Sequence, residues 1–202
     1  GYLIAGANEN SRFLGRILRN SGIEVILADT SKANVREAQR QGFQVYEGNI
    51  LGDSVFDELD LTSIGKLMAL TSSSEINTLA MKYYGEEFGE ENVCRLISKK
   101  ELEMRDVDIP KNALFLGEVD YLNLAQNIRQ HDSVLVDRCS DNEEYDKILK
   151  KHRSKIIPLF LLRGDEHPKP ILKELPDWQK GDKIAYLPVN AGGANNLTEP
   201  LV

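Results

Sequence analysis

A regular alternation constrains this chain more than any other feature. Through its first two-thirds, short apolar runs take turns with amphipathic helical patterns. YLIAG at 2–6, EVILAD at 24–29, FQVYEG at 43–48, KLMALT at 66–71, NVCRLI at 92–97 and ALFLG at 113–117 read as six strands. They are rich in Val, Ile and Leu, as strands covered on both faces are. Phe13, Leu14, Ile17 and Leu18 recur at helical spacing after the first strand. SKANVREAQRQG opens on a serine cap and closes at Gly42, and SSSEINTLAMKYYGEEFG also opens on serines. VDYLNLAQNIRQ at 119–130 is a last helix. Strands and helices in this order imply right-handed crossovers and a doubly wound parallel sheet, an α/β fold.

The pattern changes after residue 131. SVLVDRC reads as a strand and EEYDKILKKHR as a helix with a basic tail. IIPLFLLRGDEHPKPIL and KIAYLPV read as antiparallel strands, with LPDWQKGDK supplying turn chemistry between them. The expected organisation is a doubly wound, Rossmann-like domain at 1–131, a small α+β domain at 132–190, and a flexible tail at 191–202.

Totals exclude several classes. A hydrophobic fraction of 41% across 202 residues supports a full core. The formal charge of −7 argues against nucleic-acid partners. No apolar run approaches a membrane helix in length, and none resembles a secretory signal. The chain begins without Met and almost directly in its first strand, which reads as a fragment with room for a membrane segment upstream. Cys94 and Cys139 lie far apart without a second thiol or histidine at ligand spacing, so no metal site is implied and both read as reduced structural residues. His131, His152 and His167 sit among charged or loop residues and read as solvated.

The turn after the first strand carries the chemistry. In the glycine-rich fingerprint of dinucleotide sites, the first glycine makes the turn, the second admits the pyrophosphate and the third lets helix and strand approach. Here those positions are Gly6, Asn8 and Ser11. Asn8 tolerates left-handed backbone and its amide can donate to phosphate. Ser11 is small. The helix N-terminus offers N–H groups to an anion, Arg12 adds a positive charge, and Glu9 opposes it. Asp29 ends the second strand, where an acid receives ribose hydroxyls and repels a 2′-phosphate. This favours NAD or plain adenosine ligands over NADP, although Lys32 stands nearby. The alternative role for Asp29 is to cap the helix that follows.

LIAGANENSRFLGRIL, VILADTSKANVREAQRQGFQVYEGN, LMALTSSSEINTLAMK and CRLISKKELE occur in that order. Together they resemble the RCK domain, also called KTN or TrkA-N, over roughly residues 1–130. PLFLLRG followed by KGDKIAYL is similar, over a short span, to the RCK C-terminal domain. The resemblance implies the cytoplasmic regulatory region of a monovalent cation transport protein: a potassium channel, a potassium uptake system or a cation/proton antiporter. It implies an adenine nucleotide (AMP, ADP, ATP, or NAD/NADH). The phosphate would lie along Gly6, Ala7, Asn8, Glu9, Asn10, Ser11 and Arg12. The ribose would meet Asp29, with Thr30 and Lys32 beside it in the site, and the adenine Gly48, Asn49 and Ile50. Thr71 and Ser72 would line the ribose–phosphate side, and Arg95 would reach a terminal phosphate. Asn8, Ser11 and Asn49 depart from the family's glycines and aspartate. Crowding at Asn8 would spare a mononucleotide more than a dinucleotide. The resemblance also implies a homodimer in which the helix at 119–130 crosses to its partner.

An oxidoreductase is the rival class. A short-chain reductase needs Tyr-x-x-x-Lys, and no Tyr here has Lys four residues later. His131 beside Asp132 is a poor paired base. No G-x-S-x-G elbow and no P-loop is present. The expected protein is therefore a sensor and not an enzyme, with a nucleotide-free structural or dimerisation module as the third reading.

Overall fold

A computed structural model describes residues 1–52, 54–104, 107–131, 134–138, 155–175, 177 and 179–189. Five strands, β1 (Tyr2–Ala5), β2 (Val25–Asp29), β3 (Gln44–Glu47), β4 (Lys66–Ala69) and β5 (Val93–Arg95), form a parallel sheet in the order β3-β2-β1-β4-β5. Successive residues of each strand point to opposite faces, and both faces are covered. Tyr2, Ile4, Val25, Leu27, Met68 and Cys94 pack with Phe13, Leu14 and Leu18 of helix α1 (Glu9–Asn20). Leu3, Ala5, Ile26, Ala28, Leu67 and Ala69 pack with Val55 of α3 (Val55–Glu58) and with Ala80 and Tyr84 of α4 (Ser74–Phe88). Helix α2 (Lys32–Arg40) is capped by Ser31, and α4 by Ser73. The sheet is doubly wound, as the alternation requires.

The expected sixth strand is not formed. Residues 113–117 contribute isolated bridges, Arg95 with Ala113 and Leu114 with Leu172, and then a 3-10 turn at Phe115–Gly117. Phe115, Leu116 and Gly117 all have positive φ (54°, 65° and 66°), which no strand permits. The Phe115 N–H donates to Ile171 O at 2.7 Å, outside the parallel sheet. Two short helices, α3 and α5 (Lys99–Glu103), carry too little sequence to show a period.

Helix α6 (Tyr121–Gln130) is capped by Asp120. Val119 and Leu124 are buried within the chain's own core, whereas Leu122 is 63% exposed. Behind it, β6 (Leu135–Arg138), β7 (Ile156–Leu162), β8 (Lys169–Pro170) and β9 (Lys183–Pro188) form an antiparallel sheet in the order β6-β9-β7-β8. Pro158 has no N–H to give a ladder, and the β7–β9 register shifts between Pro158 and Phe160. The bulge reverses the alternation. Ile157, Leu159 and Phe160 all enter the core shared with α1 and the parallel sheet, while Ile156 and Leu161 face a separate cluster with Ile171, Ile184 and Tyr186. The expected helix at 143–153, the tail, Cys139, His152 and Asp132 lie outside the described residues.

Cys94 is buried and free, its thiol donating to Leu67 O at 3.5 Å and pushed up to about 12 by burial. His167 is exposed. His131 differs from expectation: its Nε2 is buried and has no partner among the described residues.

Candidate functional site

The order of the parallel sheet reverses between β1 and β4, so the chain leaves these strands for opposite faces and a crevice opens at their C-terminal ends. Gly6 makes the turn out of β1 at φ 99°. A Cβ on it would stand 2.7 Å from Asn8 Nδ2 and 3.3 Å from Leu70 O, so the first fingerprint position must be glycine. Asn8 needs no such freedom. It is extended (φ −71°, ψ −179°), not left-handed, and its carboxamide turns inward. Its Oδ1 accepts from Ser11 N at 3.2 Å and so caps α1, and Nδ2 donates to Leu70 O at 2.8 Å. Asparagine at this position is therefore a helix cap and a tie between the ends of β1 and β4.

Asp29 orders the loop around it. Its Oδ2 accepts from Ala7 N at 2.7 Å and from Asn34 Nδ2 at 2.9 Å, and Oδ1 accepts from Ser31 N at 2.8 Å. A carboxylate has about four acceptor sites. Three are used among the described residues. The cap of α2 is Ser31 rather than Asp29, with Ser31 Oγ accepting from Asn34 N.

The turn after β4 is stapled by Asn77. Its Oδ1 accepts from Thr71 N at 3.0 Å and Thr71 Oγ1 at 2.7 Å, and its Nδ2 donates to Thr71 O at 3.0 Å. The loop after β3 is anchored by the Tyr84 hydroxyl, which donates to Ile50 O at 2.8 Å. Asn49 Oδ1 accepts from Leu51 N at 3.0 Å, forming a local turn. Gly48 leaves room for Tyr46, whose ring would lie 2.6 Å from a Cβ there.

These loops enclose a cleft of about 290 Å³. Gly6, Asn8, Asp29, Thr30, Gly48, Asn49, Ile50, Thr71 and Ser72 line it together. Ala28, Ser31, Asn34, Ser73, Ile76 and Tyr121 line it as well, and sequence reasoning did not pick them out. Ser31 and Asn34 carried a signal, since both sit in the capped turn after Asp29. Tyr121 carried none, because it arrives from α6 through tertiary packing.

The remaining expected residues lie outside the lining. Ala7 and Ser11 sit in the turn and first helical turn behind it, where the Ser11 hydroxyl is buried with no partner among the described residues. Asn10 donates through Nδ2 to Tyr121 O at 3.0 Å. Glu9 accepts from Arg129 Nε at 2.8 Å, an ion pair joining α1 to α6. Arg12 folds back to donate to Ala7 O at 2.6 Å, and desolvation lowers its pKa. Lys32 opens α2 in solvent.

Arg95 is buried, and its guanidinium is committed to Glu101 at 2.6 and 3.1 Å and to Leu96 O. Hydrogen bonding from Arg95, joined by Ser98, holds the Glu101 carboxyl down to about 2. A carboxyl held low stabilises the fold above its unfolded pKa of about 4.3. That contribution is lost as pH falls toward 2. Glu101→Gln should therefore cost about 1 kcal/mol at pH 7, after allowance for solvent screening, and almost nothing near pH 2. Urea unfolding at the two pH values measures the difference; a pH-independent cost would contradict the pairing.

A doubly wound sheet with a capped turn after β1, an acid ending β2 and a polar crevice at the switch point defines a nucleotide-fold architecture. The chain belongs to the TrkA-N domain family, whose model matches residues 2–105. No curated protein matches it. Among solved structures it is similar to one described as "Putative NAD-dependent epimerase/dehydratase from Bacillus halodurans", at 18% identity and TM-score 0.40, covering 75% of this chain and 86% of that one. N5-carboxyaminoimidazole ribonucleotide synthetase from Thermotoga maritima is another, at 12% identity and TM-score 0.35, covering 91% and 45%.

Proposed function

We propose that this chain is an adenine-nucleotide sensor in the regulatory region of a monovalent cation transport protein, and not an enzyme. The observation that carries the reading is the crevice itself. It lies at the topological switch point, with every lining residue but Tyr121 inside the segment matched by the TrkA-N family, and Asp29 accepts three bonds there among the described residues. The polar groups around it are tied into scaffold: Thr71 to Asn77, Asn8 to Leu70, Ser31 to Asn34. Groups held this way are fixed in place to position a ligand. The volume is at the low end of ligand pockets, about 300 Å³, which suits one nucleotide better than the two of NAD.

A sensor needs a ligand that binds one conformation better than another. Here one ligand would bridge loops from β1, β2, β3 and β4. The transport protein would be a potassium channel, a potassium uptake system or an antiporter, its membrane part joined upstream and this region on the cytoplasmic face. A homodimer is part of the proposal, and the exposed Leu122 and Leu79 suit such a contact.

The test is calorimetric titration of NAD, NADH, ATP, ADP and AMP into the protein and into Asp29→Ala. Loss of the charged acceptor should weaken the best ligand by about 1–3 kcal/mol. Unchanged binding in Asp29→Ala rejects its ribose role. Binding by none of the five would leave the nucleotide-free structural module as the reading.

A further inference from the structure

The charged side chains on the cleft lining are one-sided. The described lining holds one carboxylate, Asp29, and no Lys, Arg or His. Arg12, which stands in the first turn of α1, is turned back onto Ala7 O and partly buried. Glu9 brings a second carboxylate to this end of the fold and pairs with Arg129, away on α6. The Tyr121 phenol, on the cleft wall, is pushed up by burial and then by the charges of Glu9 and Asp29, against a smaller opposite pull from Arg129 and Arg12. The backbone donors are also partly spent. Ala7 N–H goes to Asp29, Ser11 N–H to Asn8 Oδ1, and Ile76 N–H at the start of α4 to Ser73 Oγ. In the first turn of α1 the N–H groups of Glu9 and Asn10 remain, but neither residue lines the cleft and Asn10 is buried.

We infer that the cleft filters its ligand by charge: it takes adenosine or AMP and disfavours adenine ligands bearing a chain of phosphates. The inference rests on the nucleotide-binding reading and makes it specific. A second and third phosphate would add negative charge beside Asp29 with no cation on the lining to receive it. At the separations a site of this size allows, such repulsion is worth about tenfold in affinity or more.

The experiment is calorimetric titration of adenosine, AMP, ADP and ATP, at low ionic strength, into the unaltered protein and into Ser72→Lys. Ser72 is exposed on the cleft rim, so the substitution adds a cation without disturbing the core. AMP should bind about tenfold more tightly than ATP to the unaltered protein. Ser72→Lys should tighten ATP about fivefold or more relative to adenosine, whose own change in the same variant is the reference. ATP binding as tightly as AMP, or indifferent to Ser72→Lys, overturns the filter while leaving the nucleotide site standing. No binding by any of the four, adenosine included, overturns the nucleotide reading itself.

Discussion

Gly6→Ala should destabilise the protein by about 2–4 kcal/mol. Two effects add. The φ of 99° is a conformation that side chains rarely adopt. The new methyl would also meet Asn8 Nδ2 at 2.7 Å and both Leu70 O and Ser11 Oγ at 3.3 Å. Leu70 O is backbone and Ser11 is buried, so the atom free to give way is the Asn8 amide. Its retreat breaks the bond to Leu70 O and loosens the cap of α1. Urea unfolding reads the loss of stability, and titration of AMP should show binding falling with it. A loss under about 1 kcal/mol would mean that the turn can relax in a way this geometry does not allow.

Asp182→Ala should cost about 2–3 kcal/mol, at a place remote from the cleft. Asp182 is 1% exposed and receives both arms of a fork, Arg163 Nε at 2.9 Å and Nη2 at 2.8 Å, together with Gln179 N–H at 3.0 Å. Burial would push the carboxyl up, but these donors outweigh it and hold it below the ordinary range. Removing it strands a guanidinium whose Nη2 keeps only its bond to Asp177 O at 2.6 Å. Arg163 is partly open to water, which sets the cost below that of a fully enclosed pair. Asp182→Asn keeps an acceptor and should lose less. Equal losses for Ala and Asn would assign the effect to the charge alone, and no loss for either would contradict the role of the fork.

This pair explains the Arg-Gly that ends PLFLLRG and the Gly-Asp within KGDKIAYL. Arg163 and Asp182 close the open ends of β7 and β9, and Gly164 and Gly181, both at positive φ, turn the chain beside them. Such local signals were readable because backbone geometry writes them directly into residue type. The strands β1 to β5, the Ser31 and Ser73 caps and the glycine at position 6 belong with them. ALFLG was not readable. Its apolar pattern is that of a strand, yet a hydrogen bond to Ile171 and three residues at positive φ bend it into a turn. Arg95 and Tyr121 fail for the same reason in opposite directions. Glu101 takes Arg95 out of reach, and the packing of α6 brings Tyr121 in. Asn8 shows a subtler limit. Its departure from glycine is visible, but that its amide faces inward is a fact of the fold.

The core shared between the two sheets bears on the order in which the chain is made. Met68, Cys94 and Leu114 lie in one cluster with Ile157, Leu159, Phe160, Ala185 and Leu187. Synthesis runs from the N-terminus, so the family-matched segment is complete before the strands that cover part of it exist. Until β7 and β9 arrive, that face of the nascent sheet is an adhesive surface, the kind of transient exposure that chaperones recognise. Shortening the chain to its family segment would make that interval permanent. The antiparallel sheet is thus the part of the fold that covers this face of the parallel sheet.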